Sequence, residues 1–95
     1  MGYPKKDYKF IKFEKSNSKN KKYTAFIKRK RDDKIIKINF GDNRYEHYKD
    51  RTGLKEWTHK DHLDTERRKK YKARHSIHFN NKEYSPAYFS WLFLW

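Results

Sequence analysis

The sequence predicts an α+β fold: a small three-stranded antiparallel meander, then a basic helix and a short aromatic C-terminal helix. Three observations carry this. Runs of aromatic and β-branched residues, Tyr8 to Phe13, Tyr23 to Lys28 and Ile35 to Phe40, are separated by short polar connections, the pattern of hairpin-linked strands. Asp64 and Ser85 each stand directly before a helix-compatible run, as N-caps do. The chain has 95 residues, 34% apolar yet 19% aromatic. That composition allows one domain with a thin core made of rings.

Each element follows in order. Residues 1–20 of the single domain 1–95 are read as an extended arm or edge strand, with the first strand at Tyr8 to Phe13 and a turn at Ser16 to Asn20. Asp32 and Asp33 occupy the next connection, where Asp side chains can bond the local backbone. In the third strand Ile36, Ile38 and Phe40 share one face, and Gly41 is expected to end it. Asn43 to Asp50 is expected to form a helical turn with Tyr45 and Tyr48 on one side. Trp57 is expected to anchor the following loop against the sheet. Asp64 caps a helix from Thr65 to about His75, with Glu66 in its first turn. That helix is polar nearly all round, which leaves Leu63, Tyr71 and Ile77 for apolar contact. Ser85 caps the last helix and Pro86 is its N1 residue. Tyr88, Phe89, Trp91, Leu92, Phe93, Leu94 and Trp95 make it apolar on every side. It is therefore expected to be buried, either in the domain's own core or docked in a groove of a partner.

Charge narrows the function. The chain carries 26 Lys/Arg against 12 Asp/Glu, net +14. Residues 1–34 hold 13 basic and 4 acidic groups, residues 35–64 hold 6 and 6, and residues 65–95 hold 7 and 2. Two basic blocks thus flank a neutral middle. Lys21 and Lys22, then Lys28, Arg29, Lys30 and Arg31, and then Arg67, Arg68, Lys69, Lys70, Lys72 and Arg74 are candidate contacts to nucleic acid or another polyanion. Tyr8, Phe10, Phe13, Tyr23 and Phe26, set among lysines on the predicted strands, are either core rings or a platform for unpaired bases. There is no cysteine, which excludes a disulfide framework, Cys-ligated zinc and thiol catalysis. Phosphate-cradling Gly-rich loops and nucleophile elbows have no counterpart in the sequence. The near-apolar run from Ala87 to Trp95 is too short for the ~30 Å hydrocarbon core, so no membrane insertion is expected.

A series of short motifs carries a resemblance. Phe40-Gly41-Asp42-x-Arg44-Tyr45-x-x-Tyr48, Asp61-His62-x-Asp64, Arg67-Arg68-x-x-Tyr71-x-x-Arg74-His75 and Ser85-Pro86-x-x-Phe89-Ser90, ending in Leu94-Trp95, run from Phe40 to Trp95, within a resemblance that covers roughly Lys21 to Trp95. In this order they resemble a family of small basic proteins of unknown function found in large nucleocytoplasmic DNA viruses, mimivirus-like and algal-virus-like. The resemblance implies a viral origin and supplies no reaction.

Read together, these features lead to a non-enzymatic structural component of a virus particle, a minor capsid or internal virion protein. It would bridge capsid proteins, acidic protein surfaces or packaged DNA in many copies, within the virion and earlier in the host cytoplasm or viral factory. The alternative is a sequence-nonspecific nucleic-acid-binding protein in genome condensation, replication or transcription. A lesser alternative is a metal-dependent nuclease. His59-x-x-His62 and His75-x-x-His78 lie near Asp61 and Asp64, and His62, Asp64 and His75 could ligate a metal that activates water. The same residue types also make hydrogen-bonded networks, and His62, Asp64, Tyr71, Arg74 and His75 are expected to form one around Tyr71. No catalytic residue, metal or cofactor is assigned.

Overall fold

Strand alternation puts Tyr23, Ala25 and Ile27 on one side of the central strand, and all three are fully buried. The computed structural model describes residues 2–95. Its strands are β1 (Tyr3–Pro4), β2 (Tyr8–Lys15), β3 (Lys21–Arg29), β4 (Ile35–Asp42) and β5 (Glu83–Tyr84). Its helices are α1 (Thr65–His75) and α2 (Pro86–Phe93), with single 3-10 turns at Thr58–Lys60 and Ser76–His78. Strands β2, β3 and β4 form the antiparallel meander that the sequence predicts, with β3 central. A separate two-residue ladder pairs β1 with β5. It ties the first residues of the chain to the strand preceding α2, which no sequence pattern foreshadows.

Helix α2 lies across the inner face of the sheet, and Phe89 is its hub. This ring is 1% exposed and stands 5.9 Å from Phe10, 5.8 Å from Phe13, 5.5 Å from Phe40 and 5.6 Å from Tyr84, centroid to centroid. Strand β2 contributes two rings because its register slips: Phe10 pairs with Ile27 but Lys12 with Phe26. Ile11 is the extra residue of a β-bulge, and Phe10 and Phe13 consequently meet at 4.7 Å. A core poor in aliphatic residues is thus closed by rings in stacked, tilted and edge contacts.

The aromatic C-terminal run is spent on the domain's own core. Tyr88, Phe89 and Leu94 are buried, Trp91, Phe93 and Trp95 are half-buried, and Leu92 is the exposed one. Leu94 packs where β4 passes Gly41. At φ +77° a Cβ on that residue would fall 2.7 Å from Leu94 Cδ1, so only glycine suits the site. Ser85 caps α2 by accepting the Tyr88 N–H, with Pro86 opening the helix.

Two local expectations fail. Asn43 to Asp50 is not helical. Asp42 takes the Arg44 N–H at 2.9 Å in an Asx-type turn, and His47 needs extended backbone for an isolated parallel bridge to Asp61. Tyr45 is therefore 65% exposed, while Tyr48 is half-buried. Strand β4 also runs through Gly41 to Asp42, which pairs with Lys21. Among the described residues no helix is long and apolar enough to cross a membrane.

Phe89→Ala should destabilise the fold by about 3–5 kcal/mol in urea unfolding. Ile77, 84% exposed, should tolerate Ala within about 0.5 kcal/mol. Comparable losses at the two positions would contradict this account of the core.

Candidate nucleic-acid interface

Helix α1 has no buried residue and docks through polar side chains instead. Asp64 caps it by accepting the Glu66 and Arg67 N–H groups. Leu63 and Ile77, expected as apolar contacts, are 59% and 84% exposed. The contact is made at spacings of three and four by Arg68, Tyr71, Lys72 and His75. Arg68 donates from Nε to the Trp95 carbonyl at 2.7 Å and lies 4.7 Å over the Tyr48 ring. Tyr71 is held between Trp95, parallel at 4.2 Å, and His75 at 4.3 Å. The Lys72 ammonium sits 4.8 Å over Trp91. Cation–π contact replaces the apolar stripe that an amphipathic helix would use.

This divides the predicted basic helix. Arg68 and Lys72 hold the helix in place, and Arg67 pairs with Glu46 at 2.9 Å. Lys69, Lys70 and Arg74 are exposed and, among the described residues, in no ion pair with an acidic group. In the N-terminal block Lys21 is half-buried, and Lys28 and Arg29 are drawn toward Asp33 at 3.8 Å and Asp32 at 2.6 Å. Lys30 and Arg31 are exposed and border an open groove with Lys6 at the end of the meander. Lys22 is a correction: at 2% exposure its ammonium reaches no phosphate.

Lys22 belongs to a buried polar chain. Its Nζ stands 2.7 Å from His47 Nδ1, and His47 Nε2 bonds Asp61 Oδ1. An ammonium can only donate, so His47 is neutral, accepts at Nδ1 and donates from Nε2 to the carboxylate. Asp61 Oδ1 also accepts the Asp50 N–H at 2.8 Å. Asp50 takes the Tyr23 hydroxyl and, at 3.0 and 2.7 Å, the Thr52 N–H and hydroxyl. The Tyr23 oxygen accepts from the Glu56 and Trp57 amides, and Trp57 Nε1 donates to the Lys22 carbonyl at 3.0 Å. Trp57 therefore anchors the loop as expected. His47 and Asp50, the central members of the network, were outside the expected set. Burial, then the Lys60 charge, lowers Lys22 to about 8. Burial, then Lys22, lowers His47. Burial, then Asp50, raises Tyr23 to about 12. Asp50 stays below the usual carboxylate range, because the Tyr23 and Thr52 donors outweigh its burial.

The expected network around Tyr71 is only partly assembled. Tyr71 and His75 stack, while Arg74 reaches His75 at 3.5 Å. Asp64 is engaged in capping. His62 Nδ1 accepts the Asp64 N–H at 2.9 Å, and its Nε2 is buried without a partner. His62 Nδ1 and Asp64 Oδ1 are thus taken up by backbone amides, which leaves His62 Nε2 as the open atom. Among the described residues no group of three or more acidic or His side chains is arranged to hold an ion.

The outer face of the sheet is a second basic surface. Cross-strand pairing sets Lys9, Lys28 and Ile35 in one row, Lys12, Phe26 and Lys37 in the next, and Glu14, Thr24 and Asn39 in the third. Lys12 and Lys37 flank Phe26, 5.1 and 5.6 Å from its ring centre. Of the five rings that the sequence sets among lysines, Tyr23 is buried and Tyr8, Phe10 and Phe13 pack on the core. Phe26 alone turns outward. Runs of charge in the sequence do not include Lys9, Lys12 and Lys37, because each stands alone. Lys37 was legible from period two, between Ile36 and Ile38. Lys12 required knowledge of the bulge. No family model, curated protein or solved structure matches the chain.

The polar chain makes stability depend on pH. The unfolded Lys22 keeps its proton to about 10.5 and the folded one to about 8, so between these values the unfolded state binds more protons and stability rises with pH. Tyr23 acts oppositely above its ordinary value of 10.0, where only the unfolded state deprotonates. Lowered His47 makes stability fall as pH drops below 6.5. Asp42, Asp50, Asp61 and Lys60 face Lys22 and set the size of the effect. Urea midpoints should climb from pH 8 to 10 and then decline, and Lys22→Met should abolish the climb. A flat profile in the unmodified protein would refute the assignment.

Proposed function

We propose that this chain is a non-enzymatic structural component of a large DNA-virus particle that binds packaged nucleic acid and bridges it to capsid protein. One observation carries the binding: exposed cations lie on two separate surfaces of a body only 42 × 27 × 21 Å, and among the described residues of these surfaces only Lys12 and Lys28 have acidic partners, in solvent-exposed pairs. One is the sheet's outer face with the adjoining Lys30 and Arg31. The other is the outward side of α1 with Lys69, Lys70 and Arg74. Two such surfaces suit a connector between two partners. Their lysines neutralise phosphates without reading bases. The viral setting is supported by the ordered motifs between Phe40 and Trp95.

The chemistry of the motif residues agrees with a structural role. Gly41 receives Leu94, Tyr48 receives Arg68, Tyr71 stacks on Trp95, and Asp64 and Ser85 cap helices. These residues build the fold, while Arg74 of the same motifs stays exposed among the binding cations. The same cations would also serve a nucleic-acid-binding protein acting outside the particle, and location separates the two readings.

Binding to a random duplex should weaken linearly in log–log form with salt, with a slope of about −3 to −5 if four or five phosphates are neutralised. Salt-independent binding, or none at 50 mM salt, would overturn the binding role. Mass spectrometry of purified particles should recover the chain, and high salt should release it together with genome fragments. Absence from particles would leave only the role outside them.

A further inference from the structure

We infer that the outer face of the β2–β3–β4 sheet is a seat for double-stranded DNA, with Lys9, Lys12, Lys28 and Lys37 directed at its phosphates. This rests on the nucleic-acid reading above and adds the face and the form of nucleic acid. The face is unpartnered. Helix α2 packs on the opposite side through Phe89, and Lys9, Lys12, Ile35 and Lys37 are exposed. It closes from the Thr24 row onward: Thr24 is buried, and beyond it His47 and Leu94 cover Lys22 and Gly41.

Charge placement favours a duplex. Neighbouring strands lie about 4.8 Å apart, so Lys12 and Lys37, on the two outer strands of one row, stand roughly 10 Å apart at the backbone. One row along, Lys9 and Lys28 are direct cross-strand neighbours on β2 and the central β3, about 4.8 Å apart at the backbone, and Ile35 takes the β4 position. Four ammonium groups on flexible stems therefore spread across the sheet in two dimensions. A single strand offers one line of phosphates. The duplex major groove offers two phosphate walls about 12 Å apart. Glu14 meets Lys12 and Asp33 meets Lys28, but both pairs are solvent-exposed and yield easily to phosphate.

The centre of the face points the same way. Phe26 is flanked by two lysines and is not an open stacking platform of the kind single-strand binders use. With Ile35 it offers a small apolar contact of the sort that meets thymine methyl groups. A protein partner fits less well, since lysine is depleted at protein–protein interfaces and strong positive charge marks protein–DNA ones.

The test compares three proteins: the unmodified chain, a sheet variant (Lys9→Gln, Lys12→Gln, Lys28→Gln, Lys37→Gln) and a helix variant (Lys69→Gln, Lys70→Gln, Arg74→Gln). Urea midpoints first confirm that each is folded, and Lys12→Gln with Lys37→Gln alone replaces the sheet variant if it is not. Fluorescence anisotropy then reads binding to a 20-base-pair duplex, its single strand and polyglutamate across a salt series. The sheet variant should lose at least about tenfold in duplex affinity and flatten the salt slope by roughly 3, while the helix variant loses less. Duplex binding by the sheet variant within twofold of the unmodified chain would overturn the seat while leaving nucleic-acid binding intact. Tighter binding to the single strand or to polyglutamate would overturn the choice of duplex. If the unmodified chain binds no nucleic acid at 50 mM salt, both this inference and the function it rests on fail.

Discussion

A lysine ammonium joined through one imidazole to a carboxylate holds the irregular half of this chain to its sheet. Residues 43–64 form no strand and only one short 3-10 turn, so apart from Trp57, which packs on the core, neither a ladder nor an apolar face positions them. Lys22 and Tyr23 are neighbours on β3 and point to opposite sides, yet both grip the same segment, one through His47 and the other through Asp50. The segment is thereby wrapped around the end of the strand. From there the Lys49 and Arg51 amides bond the Leu94 and Phe93 carbonyls, and the Leu63 amide bonds the Tyr48 carbonyl. The end of α2 and the start of α1 thus inherit their positions from the same clamp. Buried ion pairs add little net stability on average, but losing one partner leaves an uncompensated charge. The arrangement therefore works chiefly by excluding other placements of the loop.

Positive charge has two separate uses in this fold. Arg68 and Lys72 lie over aromatic rings and replace the aliphatic residues that the composition lacks. Their long stems cover apolar surface while the charged ends remain near solvent. Lys9, Lys37, Lys69 and Lys70 remain at the surface. A chain of net charge +14 can assemble a core because part of that charge becomes packing material, and the remainder is available to a partner.

Local patterns made most of the fold legible. The three strands follow from alternation and polar turns, and both helices from a capping residue beside a compatible run. The Asp64 and Ser85 caps are where the sequence places them. The polar clamp was not legible, because His47, Asp50 and Asp61 resemble ordinary loop residues until the chain brings them beside Lys22. The basic surface was half legible. Runs such as Lys69-Lys70 stand out, whereas Lys22 looks like its neighbour Lys21 and is buried. The two-residue pairing of β1 with β5 joins segments some eighty positions apart and leaves no local trace.

The single extra residue in β2 governs both layers at once. In an unbroken strand, Phe10 facing inward would bring Lys12 inward and turn Phe13 to solvent. Ile11 resets that frame. Beyond it Phe13 reaches Phe40, Phe89 and Phe93, while Lys12 joins Lys9 on the far side of the sheet. Core composition and surface charge are therefore not independent properties of this strand. Straightening the bulge, with Ile11 paired like any other strand residue, would exchange a ring for an ammonium in the interior and an ammonium for a ring outside, without altering a single residue of the sequence.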